Sequence, residues 1–271
     1  MKIGIIGLGV VGSANAFGFK KLGHEVFIHD TKLKTSINII LKTSIVFICV
    51  PTPSRKNGAC DTRIVEKVLK LLDKKKYQGV ICIRSSTEPG FTQKMIDYYK
   101  NNNICFVPEF LRERCAKKDF IKDHQLLAVG TKYKKVFKIT VKAHGPYPVN
   151  KEMITPTEAE ILKYFINLYA SLRITFANIF YEISNQFGSN YNKIKDCYVK
   201  TGRGSPKMYL DVNSNLRGYA GICLPKDTKS IIHLIKKKKL NFNLISSIHS
   251  DNQKLKKTVF KGMRFSEKNE K

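Results

Sequence analysis

Short apolar runs alternate with longer stretches in which apolar positions recur every three or four residues, and this rhythm fills residues 1 to about 130. The runs are Lys2 to Ile6, Glu25 to His29, Ser44 to Val50, Gly79 to Ile83, Ile104 to Val107 and Gln125 to Val129. Each is too short for a helix and too continuously apolar for a strand with one wet face. They predict a mostly parallel sheet covered on both faces by helices. Polar or glycine-rich segments follow most of them: Gly7 to Gly12, Asp30, Pro51 to Pro53, Ser85 to Thr87 and Pro108 to Glu113. Open parallel sheets bind ligands outside the carboxyl ends of their strands, so these segments are expected to line one crevice.

The pattern changes near residue 150. Thr155, Pro156 and Glu158 supply a cap, a first-position proline and a capping-box acid. Apolar residues then recur at Ile161, Phe165, Leu168, Leu172, Phe176, Ile179, Ile183 and Phe187, and Gly188 is a natural stop. Such a helix, about 45 Å long at 1.5 Å per residue, is expected to cross into a partner subunit, making a homodimer through residues 156–187. Lys163, Asn167, Ser171, Asn178 and Glu182 form a second, polar stripe on it, which reads either as a solvated face or as a functional one. Asn185 to Arg217 read as a loop-rich stretch, followed by helices around Asp227 to Lys237 and Asn243 to Phe260. The expected division is a nucleotide-binding domain over 1–150, an all-helical central (dimerisation) domain over 151–262 and a disordered tail over 263–271.

Gly7-Leu-Gly-Val-Val-Gly12 follows the first strand and opens a helix, the context in which this spacing marks a dinucleotide site. Gly7 makes the tight turn, Gly9 lets backbone approach a pyrophosphate, and Gly12 lets helix pack on strand; Val10 and Val11 start the helix whose positive end faces the phosphates. Asp30, eighteen residues beyond Gly12, stands where a carboxylate accepts from ribose hydroxyls and repels a 2′-phosphate, favouring NAD over NADP, although Lys32 and Lys34 work against that preference. The implied fold is α/β, a Rossmann-like doubly wound sheet followed by helices. Farther on, glycines lead into Cys223, and Pro225 predicts a helix starting there. A helix N-terminus and the Lys226 ammonium both favour thiolate, so Cys223 reads as a nucleophile or, alternatively, as a buried structural cysteine.

Composition narrows the partners. Among 271 residues, 49 are basic and 21 acidic, a net charge of +28 that attracts nucleic acid, anionic membrane or phosphorylated substrates. The lysines are spread along the chain without a dense tract interleaved with aromatics, so no specific nucleic acid is expected. No apolar stretch reaches membrane-spanning length, so no membrane partner is expected. The seven cysteines include no C-x-x-C pair and no zinc-ligand spacing, which predicts no metal and a reducing, cytoplasmic setting.

The motifs GLGVVG at 7–12, VPTP at 50–53, SST-x-PG at 85–90, PEFLRE at 108–113, TEAEILKYFINLY at 157–169 and GYAGICLPKDTK at 218–229 occur in that order. Together they make the chain resemble the UDP-glucose/GDP-mannose dehydrogenase family from Lys2 to about Val259. The resemblance implies a double oxidation of a nucleotide sugar, UDP-glucose-like, at C6 from alcohol to carboxylate, with two NAD molecules used in turn. It implies Cys223 as the nucleophile that captures the aldehyde, Lys163 and Asn167 beside the oxyanion, Thr87 and Asp227 on a catalytic water, and Glu109 as an acid/base. By the same token the cofactor would lie against Gly7, Gly9, Val10, Val11, Gly12, Asp30, Thr52, Pro53, Thr87, Glu113 and Lys226. The sugar nucleotide would lie against Glu109, Phe110, Leu111, Lys163, Asn167, Gly218, Tyr219 and Cys223. Family members carry a further nucleotide-binding domain after the central helices, which leaves three alternatives: a separate UDP-binding chain supplies it, the substrate differs, or the chain is a truncated product. Two other readings stand beside this one: an NAD-binding partner subunit without full catalysis, and a basic nucleic-acid-binding protein on the same scaffold.

Overall fold

The computed structural model of the chain describes residues 1–202 and 209–255. They fall into two compact units: residues 1–53 with 60–163, and residues 54–59 with Tyr164 onward.

The first unit is a seven-stranded sheet: β1 (Lys2–Ile6), β2 (Glu25–His29), β3 (Ile45–Ile48), β4 (Val80–Ile83), β5 (Ile104–Phe106), β6 (Leu126–Gly130) and β7 (Asn150–Ile154). The spatial order is β2-β1-β3-β4-β5-β6-β7. All pairs are parallel except β5 with β6, which meet at a single antiparallel pair, Phe106 opposite Gly130. Alternation within the strands builds two cores. Ile3, Ile5, Ile45, Phe47, Val80 and Cys82 face one side, closed by α1 (Val10–Lys21), α4 (Ala116–Lys122) and α5 (Lys134–His144) through Phe19, Phe120 and Val136. Ile6, Val46, Ile48, Ile81 and Ile83 face the other, closed by α2 (Arg63–Lys74) and α3 (Phe91–Tyr99) through Leu69, Leu72 and Met95. The expected doubly wound sheet is therefore present, and each of these fully buried side chains contributes about 1.5–3 kcal/mol. Six strands lie where the apolar runs placed them. The seventh was not foreseen because Asn150-Lys-Glu-Met-Ile is a polar, exposed edge strand with no apolar run.

The second unit is helical: most of α6 (Pro156–Gln186), then α7 (Tyr191–Lys200), α8 (Cys223–Lys237) and α9 (Leu244–Lys254). The start of α6 is a complete capping box: Thr155 N–H donates to Glu158 Oε2 at 2.7 Å and Glu158 N–H donates to Thr155 Oγ1 at 3.3 Å. Its end is closed by Gly188 at φ +59°. The loop-rich stretch from Asn185 to Arg217 also holds α7, which Asn190 caps by accepting from Lys193 N–H at 3.2 Å. One expectation is corrected here. The helix expected from Pro225 begins two residues earlier at Cys223, since the first helical turn needs no intrahelical N–H partner and accepts a proline at its third position. The last part of the helix expected to reach Phe260, and the tail over 263–271, lie outside the described residues. Among the described residues no helix is long and apolar enough to cross a membrane.

Candidate active site

Strands β1 to β5 run parallel, so their carboxyl ends share one edge of the sheet. There Gly7, at φ +91°, makes the turn out of β1, and a Cβ on it would lie 2.7 Å from the Cys49 carbonyl oxygen. A Cβ at Gly12 would collide with the Gly7 carbonyl oxygen, whereas one at Gly9 would meet nothing within 4 Å. The loop is thus closed beneath its first and third glycines and open above its second, and Val10 begins α1 with Ser13 N–H donating to Gly9 O at 2.9 Å. Asp30, at the end of β2, accepts from Leu8 N–H at 2.7 Å and from Lys32 N–H at 2.8 Å. The Leu8 bond above all holds its carboxyl below the usual carboxylate range. An exposed glycine at a helix start with an ionised carboxylate beside it fits a dinucleotide: phosphate on the helix N-terminus, ribose on Asp30. Val10 and Val11 are half-buried at that start, Thr52 is buried and Pro53 exposed beyond β3, and Glu113 opens a single 3-10 turn.

Beyond β5 and β4 the expected residues sit in buried networks. Glu109 is buried, its carboxylate ion-paired to Arg84 and accepting from Asn15 Nδ2 at 3.1 Å and from Phe110 N–H at 3.1 Å. Its backbone carbonyl accepts from Lys163 Nζ at 2.5 Å, with that ammonium 5.8 Å from the Phe110 ring centroid. Leu111 packs into the core below. Thr87 is buried too and donates to Glu160 Oε1 at 3.1 Å, leaving Ser86 as the half-buried hydroxyl of that loop. Glu160 also accepts from Gly90 N–H at 2.6 Å, Thr92 N–H at 2.8 Å and Thr92 Oγ1 at 2.6 Å, capping α3. Burial raises its pKa against those four bonds. Sequence patterning does not single out Arg84, Asn15 or Glu160; the available signal was a charged residue inside the 157–169 motif and another directly before the 85–90 motif.

In the second unit Cys223 is exposed in the first turn of α8. One turn on, Asp227 is fully buried: Lys226 Nζ donates to its Oδ1 at 2.6 Å and Asn167 Nδ2 to its Oδ2 at 2.6 Å. Lys226, expected against the cofactor, is thus an ion-pair partner of Asp227 and is itself buried. Gly218 and Tyr219 lead into the thiol, Gly218 half-buried at φ +51° and Tyr219 buried.

Residues 30–144 match the NAD binding domain, and residues 157–254 the central domain, of the UDP-glucose/GDP-mannose dehydrogenase family. The chain belongs to that family. The glycine loop precedes the first matched segment, so its assignment rests on the geometry above. Among curated relatives, the UDP-glucose 6-dehydrogenase of Rickettsia conorii is 26% identical over 80% of this chain and 50% of its own length. The UDP-glucose 6-dehydrogenase TuaD of Bacillus subtilis is 24% identical over 93% of this chain and 63% of its own. The chain thus spans about half to two thirds of these family members. The fold agrees with that of a UDP-glucose dehydrogenase from Pyrobaculum islandicum, at a TM-score of 0.83 and 22% identity over 93% of this chain and 68% of that one. A 3-hydroxyisobutyrate dehydrogenase from Mycobacterium tuberculosis shares it at a TM-score of 0.75 and 11% identity, over 93% of this chain and 92% of that one.

Proposed function

We propose that the chain oxidises the primary alcohol of a nucleotide sugar, UDP-glucose or a close analogue, to a carboxylate. The observation that carries this reading is the network that Asn167 of α6 makes with Asp227 and Lys226 of α8, the helix that begins at an exposed cysteine. NAD, when bound on the Gly7–Gly12 loop and Asp30, supplies the hydride acceptor, once for each of the two oxidations. An alcohol holds its proton tightly, so the developing alkoxide needs a fixed cation and an amide donor. Lys163 and Asn167, four residues apart on α6, offer both: each has N–H donors beyond the one already engaged. Asp227 orients a water to take the hydroxyl proton. The Cys223 sulfur then adds to the aldehyde carbon, which presents the second hydride for transfer and leaves a thioester. Water hydrolyses that thioester, releasing the carboxylate and regenerating the thiol. Glu109 holds Lys163 through its backbone carbonyl and serves as an acid/base through its carboxylate in the later steps, and Thr87 braces the β4–α3 loop through Glu160. A homodimer through α6 belongs to the same reading.

Purified chain with NAD and UDP-glucose is expected to form NADH, read by absorbance, and Cys223→Ser is expected to abolish complete turnover. Absence of NADH with every UDP- and GDP-sugar tested rejects the enzyme reading. A second reading is that the chain binds NAD without full catalysis, supported by the open glycine loop and the Asp30 carboxylate beside it. It predicts NAD binding by calorimetry with no NADH formed from any nucleotide sugar.

A further inference from the structure

Cys223 is delivered by residues 217–222, a segment with two glycines at positive φ, Gly218 at +51° and Gly221 at +83°, and no strand or helix of its own. Its buried backbone groups must find partners elsewhere. Asn252 on α9 provides two: its Oδ1 accepts from Tyr219 N–H at 2.7 Å and its Nδ2 donates to Tyr219 O at 2.9 Å, pairing both backbone groups of one residue as a neighbouring strand would. Asn178 on α6 provides more: its Oδ1 accepts from Gly218 N–H at 3.3 Å and from Arg217 Nε at 2.8 Å. Its Nδ2 donates to Ile174 O at 2.8 Å, so the amide has one orientation. Arg217 is held further by Glu182 and lies 5.0 Å from the Tyr181 ring centroid. Both asparagines are almost fully buried, at 1% and 2% exposure. Asparagine is a poor helix former, and a buried amide is costly unless every polar atom is bonded. An apolar side chain would serve α6 and α9 better if the helices alone were at stake.

We propose that Asn178 and Asn252 are positioning residues for Cys223, fixing the 217–222 segment so that the sulfur is presented in the first turn of α8. Helix N-termini favour the reactive thiolate form of a cysteine held there. This rests on reading Cys223 as the nucleophile. Iodoacetamide alkylation of Cys223, followed against pH by peptide mass spectrometry, reads the thiol directly and without turnover. Wild-type Cys223 is expected to react faster in the folded chain than in urea. Asn252→Asp sets a carboxylate oxygen against the Tyr219 carbonyl, and Asn178→Leu removes the acceptor for Gly218. Each is expected to slow Cys223 alkylation in the folded chain and to lower kcat for aldehyde oxidation by about a hundredfold, the cost of an ångström of misplacement. KM for NAD should not move. Asn178→Asp keeps the acceptor for Gly218 and Arg217 and sets its second oxygen against Ile174 O within α6, not against the 217–222 segment, so it should recover most of the loss. If folded Asn252→Asp and Asn178→Leu match wild type in both readouts, the positioning role is overturned while the nucleophile stands. If wild-type Cys223 is no faster folded than in urea, both fall. Should Asn252→Asp not fold, the Asn178 pair of variants decides.

Discussion

His144 is fully buried between Arg84, whose Nη2 donates to its Nε2, and the Thr140 carbonyl, which accepts from Nδ1 at 2.8 Å. Both ring nitrogens are committed in the neutral tautomer, and burial, reinforced by the Arg84 charge, holds its pKa well below the usual histidine value. His124, 5.7 Å away ring to ring, is also lowered, again chiefly by burial. The sign follows from linkage. As pH falls through about 6.5 the unfolded chain protonates both rings and the folded chain does not, so stability drops by up to about 1.4 kcal/mol per pH unit for each. Glu160 acts in the opposite sense, because its raised pKa is relieved by acidification, while Asp30 and Asp119 matter only near pH 4 and below. Urea unfolding at pH 7.0 and 5.5 is expected to show a loss of about 2 kcal/mol; equal stabilities at the two values would show that these rings are not held neutral.

At the scale of elements, α6 separates what sequence periodicity can and cannot show. Its two stripes were both legible, but the face that turns inward is made mostly of small residues, with only Ser171 and Asn178 drawn from the polar stripe. Ala159, Ala170, Ser171, Ala177, Asn178 and Ser184 are buried, whereas Phe165, Phe176, Ile179, Ile183 and Phe187 are exposed. Small residues let helices approach closely, and close approach is a property of the neighbours, not of the repeat. The same limit explains the site. Gly7–Gly12 and Cys223 carry their chemistry in contiguous residues and were readable as such. Arg84, Glu160 and Asn252 act through partners 25, 68 to 73 and 33 residues away, which no local pattern marks. The exposed face leads to a test of the proposed homodimer. Phe165→Asp with Phe176→Asp is expected to convert a dimer to a monomer in sedimentation at unchanged helix content, because both rings face solvent in the single chain. A double variant that sediments like wild type would remove α6 from the interface.

For the whole molecule, the +28 charge is spread along the chain, so it acts as a general field and not as a binding patch. A dinucleotide cofactor and a nucleotide sugar each bring a pyrophosphate into that field. The long-range part reaches about 30 Å at 10 mM salt and about 8 Å at 150 mM, whereas the short bonds around Lys163 and Asp227 are little screened. Raising salt between those limits is therefore expected to lower kcat/KM for the nucleotide sugar by about tenfold, the lower end of electrostatic steering, and to leave kcat at saturation unchanged. Self-repulsion should ease over the same range, so the melting temperature should rise while kcat/KM falls. Stopped-flow and steady-state NADH formation against ionic strength separate these terms. A kcat/KM indifferent to salt, together with steeply salt-dependent DNA binding that NAD does not affect, would assign the charge to nucleic acid instead.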